Sequence, residues 1–140
     1  MKQLFLDTNV ILDYVIRREN CEKMDSLIQL SLDKGDILCT SLLSLANMAY
    51  ILRKHPYEER VQIFRVLRHF INVIPADESQ FDKALNRDVT DFEDYLQYQA
   101  AIANGCTHII TNNVKHFVEF SDIPVMNAAD YLEQNTKLTI

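Results

Sequence analysis

The segment QLFLDTNVILD, residues 3–13, is the part of the sequence that most clearly indicates the fold. An apolar strand over Gln3–Leu6 leads into one carboxylate, Asp7, and two small polar residues follow before an apolar helix begins. In parallel α/β sheets, ligands bind just beyond the carboxyl ends of the strands. A carboxylate in that place either caps the helix or handles metal and phosphate. The functional interpretation of the sequence therefore depends on Asp7.

The composition is that of one ordinary globular domain. The chain has 140 residues, of which 48% are hydrophobic and 24% charged, and such a chain buries a sizeable core. We predict a single domain over residues 1–140, without a signal peptide or a membrane span. Cys21, Cys39 and Cys106 are far apart and lack zinc-type spacing. We therefore expect buried, reduced thiols and a cytoplasmic protein.

Charge is unevenly distributed along the chain. The net charge of −6 argues against a protein that binds nucleic acid through bulk electrostatics. Acids predominate over residues 77–94 and bases over residues 53–69. This pattern suits a metal site that also holds a phosphate backbone, although two solvated helix faces would produce it as well. The predicted phosphate contacts are Arg60, Arg65, Arg68 and Lys115.

Short apolar strands alternate with helical patterns. The predicted strands are Gln3–Leu6, Asp36–Cys39, Asn72–Ile74, His108–Thr111 and Ile123–Met126. The predicted helices begin at Val10 and then cover Cys21–Lys34, Ser41–Lys54, Tyr57–Phe70, Glu78–Asn86, Asp91–Asn104 and Asn127–Gln134. The third helix is apolar on several faces and is expected at the centre of the fold, while Gly35 and Gly105 are expected to end two others. The alternation predicts an α/β fold with a parallel, doubly wound sheet.

Three carboxylates lie at the start of the sixth predicted helix. Thr90 and Glu93 have the spacing of a capping box, with Thr90 as the N-cap. Asp91 either complements the helix dipole or joins a site, whereas Asp94 precedes small and apolar residues and requires a cation or several donors. If Asp94 meets Asp7 at one sheet edge, a divalent metal between them would offset their repulsion. Oxygen ligands without cysteine or paired histidine favour Mg²⁺ or Mn²⁺ over Zn²⁺.

Polar residues also follow the fourth predicted strand. Thr111, Asn113 and His116 are candidates for contacts with a substrate or a hydrated metal, and ordinary turn chemistry accounts for them equally well. Tyr50 lies elsewhere, in the third helix, and is more typical of a core or rim aromatic residue than of a base-stacking platform.

Four stretches, taken in order, resemble the PIN-domain family and more narrowly its toxin-like (VapC-type) proteins. They are FLDTNVILD at 5–13, TSLLSLANMAYIL at 40–52, DFEDYLQ at 91–97 and IITNNVKHF at 109–117. The resemblance implies a single Rossmann-like three-layer α/β/α domain that binds Mg²⁺ or Mn²⁺ through a cluster of acids. It also implies endonucleolytic hydrolysis of RNA, a homodimer and a partner antitoxin protein.

The resemblance assigns roles by position. Asp7 is the first metal ligand and Asp94 the principal later one, with Asp91 nearby as a catalytic acid. Asn9 and Thr111 are polar supports of the site.

Two positions depart from the family pattern. Asn47 stands where many members carry a Glu, and Asn113 and His116 occupy the loop where many place an acid. An amide oxygen still binds a hard cation but contributes no charge, so we expect weaker metal binding.

Two other functions fit parts of the sequence. A PIN fold that has lost activity and binds RNA or protein would explain Asn47 and His116, and it would show little dependence on divalent ions. A phosphatase with Asp7 as nucleophile is disfavoured because Asn9 occupies the place of the required acid.

Overall fold

The computed structural model describes residues 1–136, and its five parallel strands form one sheet. The strands are β1 (Gln3–Leu6), β2 (Ile37–Ser41), β3 (Ile71–Ile74), β4 (His108–Ile110) and β5 (Val125–Met126). Their order is β3-β2-β1-β4-β5, so the chain builds outward from β1 on one side and then crosses to β4 on the other. This reversal opens a crevice at the carboxyl ends of β1 and its neighbours.

Eight helices connect and flank the strands within the described residues. They are α1 (Thr8–Val15), α2 (Cys21–Lys34), α3 (Leu42–Ile51), α4 (Tyr57–Arg68), α5 (Glu78–Leu85), α6 (Phe92–Ala103), α7 (Val114–Val118) and α8 (Ala128–Thr136). Helices α2 and α6 are followed by Gly35 and Gly105 at φ of +72° and +80°, as predicted. Glycine adopts this left-handed conformation without the steric penalty that a Cβ atom brings.

Two hydrophobic cores lie on opposite faces of the sheet. Leu4 and Leu6 of β1 face the core that includes residues of α1–α4 and α8, whereas Phe5 faces the core of α5–α7. All three side chains are completely buried. Since successive residues of a strand point to opposite faces, a short apolar run fills both cores. The predicted three-layer α/β/α fold is confirmed, and residues 137–140 of the predicted domain lie outside the described part.

Helix α3 does not lie at the centre of the fold, so that prediction is wrong. Only Ser44 and Met48 of this helix are buried, whereas Leu42, Tyr50 and Ile51 are 64%, 65% and 46% exposed. The helix packs against the sheet through one narrow stripe. Apolar residues on all faces ordinarily indicate a buried helix, and here they leave an apolar surface instead.

Other differences from the predicted elements are small. The ends of the strands after β1 and of several helices shift by one to three residues, the largest shift being the end of α3 at Ile51 instead of Lys54, and such shifts are common for boundaries inferred from sequence. The sequence analysis missed α7, whose five residues are too few for a helical period to appear. This helix buries Phe117 completely.

All three cysteines are free thiols in the structure. Cys39 and Cys106 are buried as expected, and their sulfur atoms lie only 3.2 Å apart despite the sequence separation of 67 residues. Cys21 is only partly buried. No helix within residues 1–136 is long and apolar enough to cross a membrane.

Ser41 ties α3 to α6 and supports a first prediction. Its Oγ accepts a hydrogen bond from the Ser44 backbone N–H at 3.0 Å, which caps α3, and donates to Oε1 of buried Gln97. We expect Ser41→Ala to lower the free energy of unfolding by roughly 2–4 kcal/mol, because it removes a cap and leaves a buried acceptor unpaired. Urea titration measures this loss. Ser44→Ala removes the 2.7 Å bond from Gln97 Nε2 and the 3.4 Å bond from Ser41 Oγ but keeps the cap, so a loss as large as that of Ser41→Ala would contradict the capping role.

Candidate active site

An acidic cavity of about 290 Å³ lies at the carboxyl edge of the sheet. Four carboxylates line it: Asp7, Asp91, Glu93 and Asp94. The sequence-predicted residues Asn9, Asn47, Asn113 and His116 also line it. Within residues 1–136, no lysine or arginine contributes to the wall. The cavity therefore concentrates negative charge without a cationic side chain to balance it.

Asp7 is both a helix cap and a wall of the cavity. Its Oδ1 accepts a hydrogen bond from the Thr8 backbone N–H at 2.8 Å, and its Oδ2 accepts one from Thr111 Oγ1 at 2.8 Å. The side chain is buried, and this burial raises its pKa above the usual range, although the two hydrogen bonds act in the opposite direction. Asp7 thus caps α1, accepts a hydrogen bond from Thr111 and lines the cavity, while its role toward a metal or phosphate stays a prediction.

Asp91, and not Thr90, caps α6. The Asp91 side chain accepts a hydrogen bond from the Asp94 backbone N–H at 3.0 Å, so the predicted capping box of Thr90 and Glu93 is wrong. Aspartate is at least as good an N-cap as threonine, and the helix begins one residue later than that box requires.

The later start of α6 leaves Glu93 free to meet α3. Asn47 Nδ2 donates a hydrogen bond to Glu93 Oε1 at 2.5 Å. At the position where many family members carry an acid, this chain therefore places an amide that holds a neighbouring carboxylate at the cavity. No local pattern predicts this pairing, since the two residues are 46 positions apart.

Asp94 is a half-buried carboxylate of the cavity with a strongly raised pKa. Burial raises its pKa to about 7, and the negative charges of Asp7 and Asp91 add to the effect. His116 acts in the opposite direction through its Nδ1, which lies 3.1 Å from Asp94 Oδ2. Asp91, Asp94 and His116 each offer a ligand atom, and these atoms lie within 4.8 Å of one another.

A hard divalent cation fits these residues. Burial holds the pKa of Asp94 near 7, and the charges of Asp7 and Asp91 raise it further; a cation among these carboxylates would remove their repulsion. The donor set consists of carboxylate and amide oxygens with one imidazole and contains no thiolate, a combination typical of Mg²⁺ or Mn²⁺ rather than of structural Zn²⁺.

Asp13 fixes the loop that carries Asn113 and His116. This buried carboxylate of α1 accepts a hydrogen bond from Asn112 Nδ2 at 2.7 Å and from Arg18 Nε at 2.9 Å. The loop after β4 is thereby attached to the helix that follows Asp7. Asp13 stands in the opening motif, but the sequence analysis assigned it no role.

The predicted phosphate contacts lie away from the cavity wall. Arg60 stacks over Tyr57 within α4, and Arg68 donates to the Ile71 carbonyl. Neither these arginines nor Arg65 and Lys115 line the cavity. The structure thus gives these four side chains no direct place in the cavity wall.

Comparison with known proteins agrees with this architecture. A model of the PIN domain matches residues 3–115. Ribonuclease VapC1 of Aquifex aeolicus (strain VF5) is 27% identical over 140 residues, which cover 95% of each chain. VapBC2 from Rickettsia felis, solved bound to a promoter DNA fragment, has a chain with a TM-score of 0.70 and 17% identity, covering 89% of this chain and 98% of that one. VapBC-1 from nontypeable Haemophilus influenzae has a chain with a TM-score of 0.68 and 21% identity, and the match covers 91% of this chain and 98% of that one.

The fold and the cavity define a three-layer α/β/α domain with an acidic pocket at the carboxyl edge of its sheet. The family match extends over most of this domain and includes the strands and helices that supply the four carboxylates. The chain belongs to the PIN-domain family, and the resemblance inferred from its four motifs is confirmed.

Proposed function

We propose that this protein is a divalent-metal-dependent endoribonuclease that hydrolyses phosphodiester bonds of RNA, and that it is the toxin of a toxin-antitoxin pair. The observation that carries the proposal is the cavity with four carboxylates and no basic side chain from residues 1–136. The ribonuclease name of the Aquifex relative, aligned over nearly the whole chain, supports the same activity.

Mg²⁺ or Mn²⁺ is the proposed cofactor, with Asp7 and Asp94 as its principal ligands. Asp91 is the nearby catalytic acid, while Asn47, Asn113 and His116 supply the remaining polar wall. When bound, such an ion polarises the phosphate and lowers the pKa of a water molecule that it holds.

The side chains prepare the cavity for this chemistry. Thr111 and the Thr8 backbone N–H fix the orientation of Asp7, so its carboxylate is in place before the substrate arrives. His116 Nδ1 lies 3.1 Å from Asp94, where a proton between the two would keep the carboxylate oriented. The amides of Asn9 and Asn113 are polar wall groups that can donate to phosphate oxygens without adding charge.

The proposed partners are RNA, an antitoxin protein and a second copy of the chain. The Haemophilus and Rickettsia neighbours, described as VapBC, support a paired antitoxin. An exposed apolar patch on α5 and α6 supports self-association, since Phe81, Leu85 and Phe92 are 47%, 61% and 40% exposed. Sedimentation that gives twice the chain mass would agree with a dimer. The proposed location is the cytoplasm, where an RNA-cleaving toxin meets its substrate.

Cleavage of a panel of structured and single-stranded RNAs tests the proposed function. We expect cutting with Mn²⁺ or Mg²⁺ and none with a chelator, because four uncompensated carboxylates hold no phosphate without a cation. If the protein binds RNA but does not cut it with any ion, the result would contradict the proposed nuclease and favour a PIN fold that has lost activity and only binds RNA. Cutting that persists in excess chelator would contradict the metal dependence.

A further inference from the structure

Tyr50 is an exposed aromatic residue on the rim of the acidic cavity. It lies in the last turn of α3, one turn after Asn47, and lines the same cavity as Asp7 and Asp94. With 65% of its surface exposed, the residue contributes little to the core. A large aromatic ring left in solvent beside a catalytic cavity is available to a ligand.

Arg53 holds this ring and supplies a cation. Its guanidinium carbon lies 4.0 Å from the Tyr50 ring centroid, and its Nη1 donates to the Tyr50 carbonyl at 2.9 Å. Within residues 1–136, no carboxylate forms an ion pair with Arg53. The pair therefore presents an ordered ring and an unneutralised guanidinium to the same rim.

We propose that Tyr50 stacks with one unpaired nucleobase of the bound RNA and that Arg53 contacts the adjacent phosphate, so that the site selects single-stranded RNA. This inference rests on the proposed ribonuclease function. The guanidinium covers one ring face, and the opposite face receives the base. A base inside a duplex has both faces covered by its neighbours and cannot stack there.

Because the cavity is negatively charged, binding of the RNA backbone requires a cation such as the Arg53 guanidinium at its edge. Four carboxylates line the wall and repel the RNA backbone, and within the described residues no basic side chain lines the wall with them. The phosphate next to the reacting one is also negatively charged and is repelled by the same carboxylates. Arg53 is placed to neutralise that phosphate, and its planar guanidinium matches phosphate oxygens.

A second tyrosine–arginine pair provides a matched control. Tyr57 is 71% exposed, and Arg60 lies 5.7 Å from its ring centroid, but neither residue lines the acidic cavity. Both pairs join an exposed tyrosine to an arginine, and only Tyr50 lines the cavity. Only Tyr50 should respond to RNA.

The experiment follows the fluorescence of single-stranded RNAs that carry 2-aminopurine at successive positions. Asp94→Asn serves as the common background, so that the RNA is not cut. We expect fluorescence quenching at one position, retained in Tyr50→Phe and lost in Tyr50→Leu. We also expect Tyr50→Leu to raise the dissociation constant roughly 5- to 100-fold, the range that loss of one stacked aromatic gives. Tyr57→Leu should change neither quantity, and a duplex of the same sequence should bind more weakly.

Unchanged quenching and affinity in Tyr50→Leu would overturn the stacking role, and RNA cleavage by the wild-type protein would then still support the proposed function. Failure of every variant and of the wild type to bind or cut RNA would overturn both. A change of oligomeric mass in Tyr50→Leu with unaltered quenching would assign the ring to a protein interface and also overturn the inference. Tyr50→Trp tests whether any aromatic ring at this position stacks with the base, because a larger ring should preserve or deepen the quenching.

Discussion

Asp94→Asn should reduce RNA cleavage by roughly 100- to 1000-fold, as expected when a group that organises transition-state charge is lost. The same substitution should raise the melting temperature of the metal-free protein. Burial and the charges of Asp7 and Asp91 raise the pKa of Asp94 to about 7, so its ionised form is unfavourable in the fold at neutral pH. A neutral amide removes that cost.

Asp88→Asn is the matched control for this variant. Asp88 is an exposed carboxylate of the same acidic segment and does not line the cavity. The Asp88→Asn substitution changes the charge by the same amount as Asp94→Asn, and we expect its RNA cleavage to stay close to that of the wild-type protein. Equal losses in the two variants would indicate a general charge effect, and full activity of Asp94→Asn would remove Asp94 from the site.

Removal of divalent cations should have the second large effect, on both activity and stability. Without a cation, the folded protein holds its proton on Asp94 up to a pH of about 7, whereas the unfolded chain releases it near 3.8. Between these values the folded state binds more protons, so its stability should fall as the pH rises from about 4 to about 7. Cleavage in chelator should be undetectable across this range.

Added Mn²⁺ should reverse the loss of stability at high pH only. At pH 8 Asp94, with its pKa of about 7, is ionised and free to bind the cation, and an ion at about 100 times its dissociation constant would stabilise the fold by roughly 2.7 kcal/mol. At pH 5 protons compete for Asp94, and the gain should be small. Thermal melts with chelator and with Mn²⁺ at both pH values measure this difference. Equal gains at pH 5 and pH 8 would place the ion elsewhere.

The sequence predicted the parts of the site that follow from local pattern. The strand Gln3–Leu6 is short and apolar, and a polar residue after such a strand lies at the carboxyl edge of a parallel sheet, so Asp7 could be placed at the site. Asp94 could be placed there because a carboxylate before small and apolar residues requires compensation.

The rest depended on tertiary contacts that no local pattern encodes. The hydrogen bond between Asn47 and Glu93 joins two helices that are distant in sequence. The N-cap of α6 is Asp91, one residue after the predicted N-cap Thr90. The exposure of Tyr50 could not be inferred, because a helix that is apolar on all faces usually lies in a core. Each of these features changes which side chain faces the cavity.

Cleavage of an RNA with a single 2′-deoxy nucleotide at the mapped cut site tests whether the protein hydrolyses RNA with water at the Asp7–Asp94 site. Hydrolysis by water in an acidic metal cavity does not use the 2′-hydroxyl, so this RNA should still be cut in Mn²⁺. The new ends should be a phosphomonoester and a hydroxyl, with no 2′,3′-cyclic phosphate. Protection by the 2′-deoxy nucleotide, together with a cyclic phosphate in the unmodified RNA, would identify the 2′-hydroxyl as the nucleophile and contradict hydrolysis at the Asp7–Asp94 site.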